Sequence, residues 1–262
     1  MRDIKGILPG MFTMGNLACG FGSIILSTGA GLSAGYSVNR NLFEAVWLII
    51  LAAFFDFLDG LVARFSKSYS RFGVELDSLT DIVSFGVAPA VILVSFSLIS
   101  HGNWAWILGF VYLMAASFRL ARFNISASLE RKLNFVGLPV PAAAIVLVSY
   151  ILFTYEVWGE IRLERFFIIL VLATSALMVS TVEFETMPRF DFAQVKNRIK
   201  VLFIFLVAAA IMINASLMIF PFGMLYIIQG LGKLFITLLK GEKKEIKRKG
   251  TGTTGAHSSD QP

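Results

Sequence analysis

The sequence predicts an all-α, polytopic membrane protein, and three observations support this fold class. The 262-residue chain is 56% hydrophobic and only 15% charged, whereas soluble domains carry roughly 25% charged residues. Apolar stretches long enough to span a bilayer recur along the chain, and such segments must be helical because only a helix satisfies its own backbone hydrogen bonds in lipid. The basic residues are concentrated in alternate connecting segments, as the positive-inside rule requires.

Eight apolar segments are predicted to cross the membrane. The last two are separated by Phe220-Pro221-Phe222-Gly223, which predicts a tight turn. The segments lie near residues 11–29, 42–63, 77–99, 103–121, 137–155, 164–182, 200–218 and 220–239. We therefore expect a bundle of about eight transmembrane helices at residues 1–240. Residues 241–262 are predicted to form a basic, disordered tail, which either contacts anionic headgroups or serves only topology.

The net charge of +6 is better explained by membrane topology than by nucleic-acid binding. If both termini are cytoplasmic, all but three of the 23 Lys and Arg residues fall on the cytoplasmic side. The exceptions are Arg40, Arg162 and Arg165. This asymmetry predicts a multi-pass protein of the cell membrane with cytoplasmic termini and no nucleic-acid partner.

Four aspartates lie on two consecutive apolar helices. Asp56 and Asp59 are three residues apart, and Asp77 and Asp81 are four apart, so each pair shares one helix face. Ionised carboxylates are costly in a membrane segment, and four close together would also repel one another. A hard divalent cation with oxygen ligands, Mg²⁺ or Mn²⁺, would offset both costs.

The spacing of the acids leaves two other interpretations open. The acids could line an ion or proton pathway, as intramembrane carboxylates do in carriers. Alternatively, they lie at the water interface and pair with Arg64, Lys67 or Arg71. Because all four acids lie near the same predicted membrane face, the site is expected on the cytoplasmic side under any of these interpretations.

Residues 56–81 follow the pattern D-x2-D-G-x2-A-R-x8-G-x3-D-x3-D. This resembles the complete signature of the CDP-alcohol phosphatidyltransferase family. The resemblance implies a six-helix core and an enzyme that transfers a phosphatidyl group from CDP-diacylglycerol to a small alcohol. It also implies a homodimer.

The resemblance assigns a role to each signature residue. Asp56, Asp59 and Asp77 are implied to bind one metal ion, Asp77 and Asp81 a second, and Asp81 to act as the general base. The residues implied to contact the CDP-lipid are Thr13, Asn16, Gly60, Ala63, Arg64, Ser70 and Gly73. The small residues would allow close approach of helices and nucleotide, and Arg64 would bind a phosphate. Helix capping or packing is the alternative role for Thr13 and Asn16, and interfacial snorkelling for Arg64.

Two further segments resemble the serine-using members of the family. They are R-x-x-R-F-N at residues 119–124 and F-x-G-L-P-x-P-A-A at residues 135–143. The implied acceptor is L-serine, and the residues predicted to bind it are Arg119, Arg122, Asn124, Asn134, Gly137 and Pro139. Arg119 or Arg122 could pair bidentately with the serine carboxylate, and Gly137 and Pro139 shape a loop-to-helix entry whose backbone could bind an anion.

The acceptor is less closely determined by the sequence than the donor. An acceptor that carries a phosphate, such as inositol phosphate or glycerol phosphate, would also favour two arginines. Both arginines would equally satisfy the positive-inside rule without binding any ligand.

Overall fold

The computed structural model describes residues 2–32, 40–66, 71–101, 104–128, 137–159, 164–182, 184, 207 and 209–232. Ser70, Asn134 and the predicted tail at 241–262 lie outside these ranges. The helices are α1 (Arg2–Leu32), α2 (Arg40–Ser66), α3 (Arg71–Asp81), α4 (Ala88–His101), α5 (Ala105–Ser128), α6 (Val140–Trp158), α7 (Glu164–Val179) and α8 (Ala215–Gly232).

The predicted all-α membrane bundle is confirmed. Among the described residues, six helical segments are long and apolar enough to span a bilayer. Their bounds are Gly10–Thr28, Arg40–Phe65, Phe72–Ser95, Ala105–Ile125, Val140–Trp158 and Ala215–Gly232, and a seventh apolar segment, Arg165–Val179, is shorter. These helices cover the first six predicted spans and part of the last two.

The tight turn predicted at residues 220–223 is wrong. Helix α8 runs continuously from Ala215 to Gly232, and the interruption of helical structure lies earlier, at Asn214. The Asn214 side-chain oxygen accepts a hydrogen bond from the Leu217 amide at 3.1 Å, which caps the start of α8. Gly223 serves packing instead, because a Cβ there would lie 2.6 Å from a methyl group of Val146 on α6.

A π-helical segment, Ile82–Val87, joins α3 to α4 directly after Asp81. Pro89 explains this widening, since proline has no amide hydrogen and clashes with the carbonyl four residues earlier. The Ala88 amide donates to the Val83 carbonyl, and the Phe85 carbonyl accepts a hydrogen bond from the buried Tyr112 hydroxyl at 2.8 Å. The Phe85 carbonyl, which loses its α-helical donor to the proline, therefore has a partner in this apolar region.

Helix α6 lies in the middle of the bundle. Most of its side chains are buried, and the Tyr150 ring stacks on Phe167 of α7 and meets the edge of Phe220 on α8, with centroids 5.2 Å apart in both pairs. Helix α1 packs against α2 and α4. At Gly20 it approaches the π-helical segment so closely that a Cβ would lie 2.7 Å from the Ser84 Cα. Helix α1 also packs against α3, so α1, α2 and α3 meet at the acidic residues.

Candidate active site

Three of the four aspartates form a compact cluster between α2 and α3. One carboxylate oxygen from each of Asp56, Asp59 and Asp77 lies within 4.8 Å of the other two. Asp59 is buried, and the other two are half-buried. Helical spacing brings Asp56 and Asp59 to one face of α2, and the packing of α3 adds Asp77.

Asp81 lies one helical turn after Asp77, beside this cluster. Its carboxylate interacts electrostatically with those of Asp56, Asp77 and Asp59. The Asn16 amide of α1 donates a hydrogen bond to Asp81 Oδ1 at 3.3 Å. Asp81 is thus the one signature carboxylate outside the compact cluster, and its hydrogen bond comes from α1.

Helix α1 supplies hydrogen-bond donors to the acids. The Thr13 hydroxyl donates to Asp59 Oδ2 at 3.1 Å, and Asn16 donates to Asp81 as described. Both α1 side chains are buried. The Ser84 hydroxyl donates to the Asn16 carbonyl at 3.0 Å, which ties this turn of α1 to the π-helical segment. The described bonds of Thr13 and Asn16 therefore support a role in orienting carboxylates.

The donor set of the cluster fits a hard divalent cation. Three carboxylates within 4.8 Å repel one another, and among the described residues Asp77 Oδ1 and Asn16 Oδ1 are buried without a hydrogen-bond partner. A buried acceptor without a partner is costly, so unpaired acceptors beside a carboxylate cluster point to a bound cation. The ligands are all oxygen atoms, which suits Mg²⁺ or Mn²⁺ better than zinc.

Gly60, one of the small signature residues, borders open space on α2. A Cβ on Gly60 would meet no heavy atom within 4 Å, so no described helix approaches there, contrary to part of the prediction for this residue. The space beside Asp59 is instead available to a ligand. Ala63 and Gly73 are half-buried, and the Arg64 side chain is exposed.

Arg119 is a predicted acceptor residue that interacts electrostatically with one of the acids, Asp81. It is buried, with 7% of its surface exposed, and its guanidinium carbon lies 5.3 Å from the centroid of the Phe123 ring. It also interacts electrostatically with Tyr226. Asn124, a further predicted acceptor residue, exchanges hydrogen bonds with Ser78, which is adjacent to Asp77.

Arg122, Gly137 and Pro139 have a different environment from the one predicted. The Arg122 guanidinium donates to the Val179, Met178 and Ser180 carbonyls at 2.8, 3.1 and 3.0 Å. The Gly137 amide donates to the Val182 carbonyl at 2.8 Å. Since this amide is already bonded and proline has no amide hydrogen, neither residue has a backbone donor left for an anion, and the prediction that the loop-to-helix entry they shape binds the acceptor stays a prediction.

Tyr226 of α8 is not among the residues that the sequence predicts for the site. Its ring packs on Phe184 with centroids 5.6 Å apart, and it reaches the neighbourhood of Arg119. No local signal distinguishes this tyrosine from other aromatic residues in an apolar segment. Only the packing of α8 brings it to the site.

Comparison with known proteins agrees with this arrangement. The sequence profile of the CDP-alcohol phosphatidyltransferase family matches residues 6–182. A CDP-diacylglycerol–serine O-phosphatidyltransferase of Helicobacter pylori is 29% identical over 236 residues, covering 89% of this chain and 93% of its own length. An archaetidylserine synthase of Methanothermobacter thermautotrophicus is 34% identical over 186 residues, covering 70% of each chain. The acid signature, the helical membrane fold and the profile match together show that the chain belongs to the CDP-alcohol phosphatidyltransferase family.

Proposed function

We propose that this phosphatidyltransferase is a phosphatidylserine synthase, which converts CDP-diacylglycerol and L-serine to phosphatidylserine and CMP. The observation that carries the proposal is the cluster of three carboxylates together with Asp81, which is held by Asn16 and interacts electrostatically with the cluster and with a buried arginine, Arg119. The names of the H. pylori relative and several other relatives support serine as the acceptor.

The donor is proposed to bind at the end of α2. The open space beside Gly60 would take part of the CDP moiety, and Arg64 would bind a phosphate with its planar guanidinium. Ala63, Ser70 and Gly73 remain proposed donor contacts. A divalent cation held by Asp56, Asp59 and Asp77, with a second shared by Asp77 and Asp81, would neutralise charge on the pyrophosphate.

Asp81 is proposed to accept the proton of the serine hydroxyl. The serine oxygen then forms a bond to the phosphorus that carries diacylglycerol, and the bond from that phosphorus to the CMP oxygen breaks. The hydrogen bond from Asn16 holds the Asp81 carboxylate in one orientation before substrate binds, which favours proton transfer at a defined position. Thr13 does the same for Asp59.

Arg119 is proposed to bind the serine carboxylate. Its charge is buried, and among the described residues its side chain contacts an aromatic face and no carboxylate hydrogen-bonds to it. A buried guanidinium in this state gains strongly from a bidentate anionic partner. Asn124 lies on the next turn of α5 and is a second proposed acceptor contact, as is Asn134.

The orientation and assembly of the enzyme are part of the proposal. The asymmetry of Lys and Arg supports cytoplasmic termini and a cytoplasmic active site in the cell membrane, where CMP is released into the cytoplasm. The lipid chains would remain in the bilayer. A homodimer is proposed on the family resemblance.

An acceptor screen tests this function directly. Purified protein in mixed micelles with Mg²⁺ or Mn²⁺ is given radiolabelled CDP-diacylglycerol and either L-serine, glycerol 3-phosphate, inositol phosphate or no acceptor. Serine-dependent release of CMP with formation of phosphatidylserine is expected, and chelation of the metal should abolish it. Equal CMP release with and without serine would refute the synthase, and absence of CMP release with every acceptor would favour a carrier.

The general base is tested in the same assay. Asp81→Asn should abolish turnover while nucleotide binding is largely retained. Glu75→Gln is the matched control, because it removes an exposed acid from the same helix and should leave turnover unchanged. Substantial turnover by the Asp81 variant would exclude it as the base.

A further inference from the structure

The C-terminus of α7 is capped by residues from two other helical regions. A helix end leaves four backbone carbonyls without intrahelical partners. Here Arg122 of α5 donates to three carbonyls at residues 178–180, and the Leu138 amide donates to the Leu177 carbonyl at 3.1 Å. The Gly137 amide extends the same set to Val182. We refer to Arg122, Gly137, Leu138 and their carbonyl partners as the α7 cap.

Gly137 is required by this cap for two reasons. Its φ angle of +89° is in the left-handed region, which side chains disfavour. A Cβ at this position would also lie 2.5 Å from both Arg122 Nη2 and the Met178 carbonyl oxygen. The turn before α6 and the Arg122 side chain therefore pack directly against each other.

The cap also gives the two arginines of α5 different electrostatic surroundings. The C-terminus of a helix carries a partial negative charge, which offsets that of Arg122. Arg119 lies one turn away, near Asp81, and its guanidinium faces the Phe123 ring. The charge of Arg119 is thus the one left for an anionic ligand.

On these observations we infer that Arg122 is a positioning residue for the acceptor and not one of its ligands. It locks the turn at 137–138 and the end of α7 onto the turn of α5 that carries Arg119, so the two sequence segments typical of serine-using enzymes form one structural unit. The inference rests on the proposed function, since it gives a role within the same acceptor site.

A double-mutant cycle between Arg122 and Gly137 tests the inference. Arg122→Gln, Gly137→Ala and the double variant are compared for kcat and for the KM of serine in the CMP-release assay. Each single variant is expected to lose on the order of 10- to 100-fold in kcat/KM, as for a misplaced binding group. The kcat/KM of the double variant should lie within about twofold of that of the less active single variant, because both changes break the same cap.

Two outcomes would overturn the inference. If the losses multiply in the double variant, Arg122 acts independently of the turn, as a direct acceptor ligand would. If Gly137→Ala retains the kcat/KM of the unmodified protein, the turn does not position the acceptor. Should Arg122→Gln fail to fold, Arg122→Lys keeps the charge with fewer matched donors and enters the same cycle.

The controls separate this inference from the proposed function. Ser117→Ala lies on the same helix, where the exposed Ser117 hydroxyl donates to the Leu113 carbonyl of its own helix, and this variant should behave as the unmodified protein. If the unmodified protein uses glycerol 3-phosphate instead of serine, the proposed function fails, and the cycle is run with that acceptor. If serine is used but the losses multiply, only the role of Arg122 is overturned.

Discussion

Neutralising Asp77 should make the metal-free protein more stable and remove its response to metal ions. One oxygen from each of three carboxylates lies within 4.8 Å of the others. At that distance and an effective dielectric constant of about 20, each ionised pair repels by about 3.5 kcal/mol. Two of the three pairs contain Asp77, so Asp77→Asn removes up to about 7 kcal/mol of repulsion by the same estimate.

The thermal consequence of this change is measurable. Even one third of that repulsion, about 2 kcal/mol, corresponds to a rise of about 4–8 °C in Tm for a chain of this size. In the unmodified protein, Mg²⁺ or Mn²⁺ at about 100 times Kd should contribute about 2.7 kcal/mol of stability. The variant should show little of that increase, because it has lost one anionic ligand.

Thermal unfolding of purified protein, with and without chelator, measures both effects. Glu75→Gln is the matched control, since Glu75 is an exposed acid on the same helix and should change neither value. The reasoning is refuted if Asp77→Asn is less stable than the unmodified protein in chelator, or if it keeps the full metal response. Either result would mean that the three carboxylates do not form a cation site.

Two other substitutions follow from single hydrogen bonds. Asn16→Leu removes the donor to Asp81 and should lower kcat by about 10- to 150-fold, the equivalent of one hydrogen bond to a charged group; an unchanged kcat would exclude a role in orienting the base. Tyr112→Phe leaves the Phe85 carbonyl without its partner and should reduce the free energy of unfolding by about 1–3 kcal/mol, seen as a lower Tm.

The carboxylate cluster was predictable because its spacing is local. Positions three or four apart share a helix face whatever the rest of the fold does, so the sequence alone pairs Asp56 with Asp59 and Asp77 with Asp81. The partners of these acids on α1 were not predictable. Thr13 and Asn16 were recognised as candidate residues, but their bonds to acids 46 and 65 positions away depend on how α1 packs.

The turn that was wrongly predicted at residues 220–223 shows where local sequence signals fail. Pro221 and Gly223 are turn-forming residues in water, and local sequence favours a break there. Within an apolar bundle, a helix tolerates proline because neighbouring groups can compensate for the lost hydrogen bond. Gly223 is small because α6 passes close to it at Val146, which no local pattern reveals.

The sequence by itself determined the fold class, the acidic signature and the family resemblance, because hydropathy and helical periodicity are properties of short segments. Tertiary structure decided which groups those segments bring together. It separated Arg119, which lies near Asp81, from Arg122, which caps α7, although the two are one turn apart and chemically identical. The distinction arises because the carbonyls at the end of α7 accept hydrogen bonds from the guanidinium of Arg122. That contact depends on how helices distant in the chain pack together.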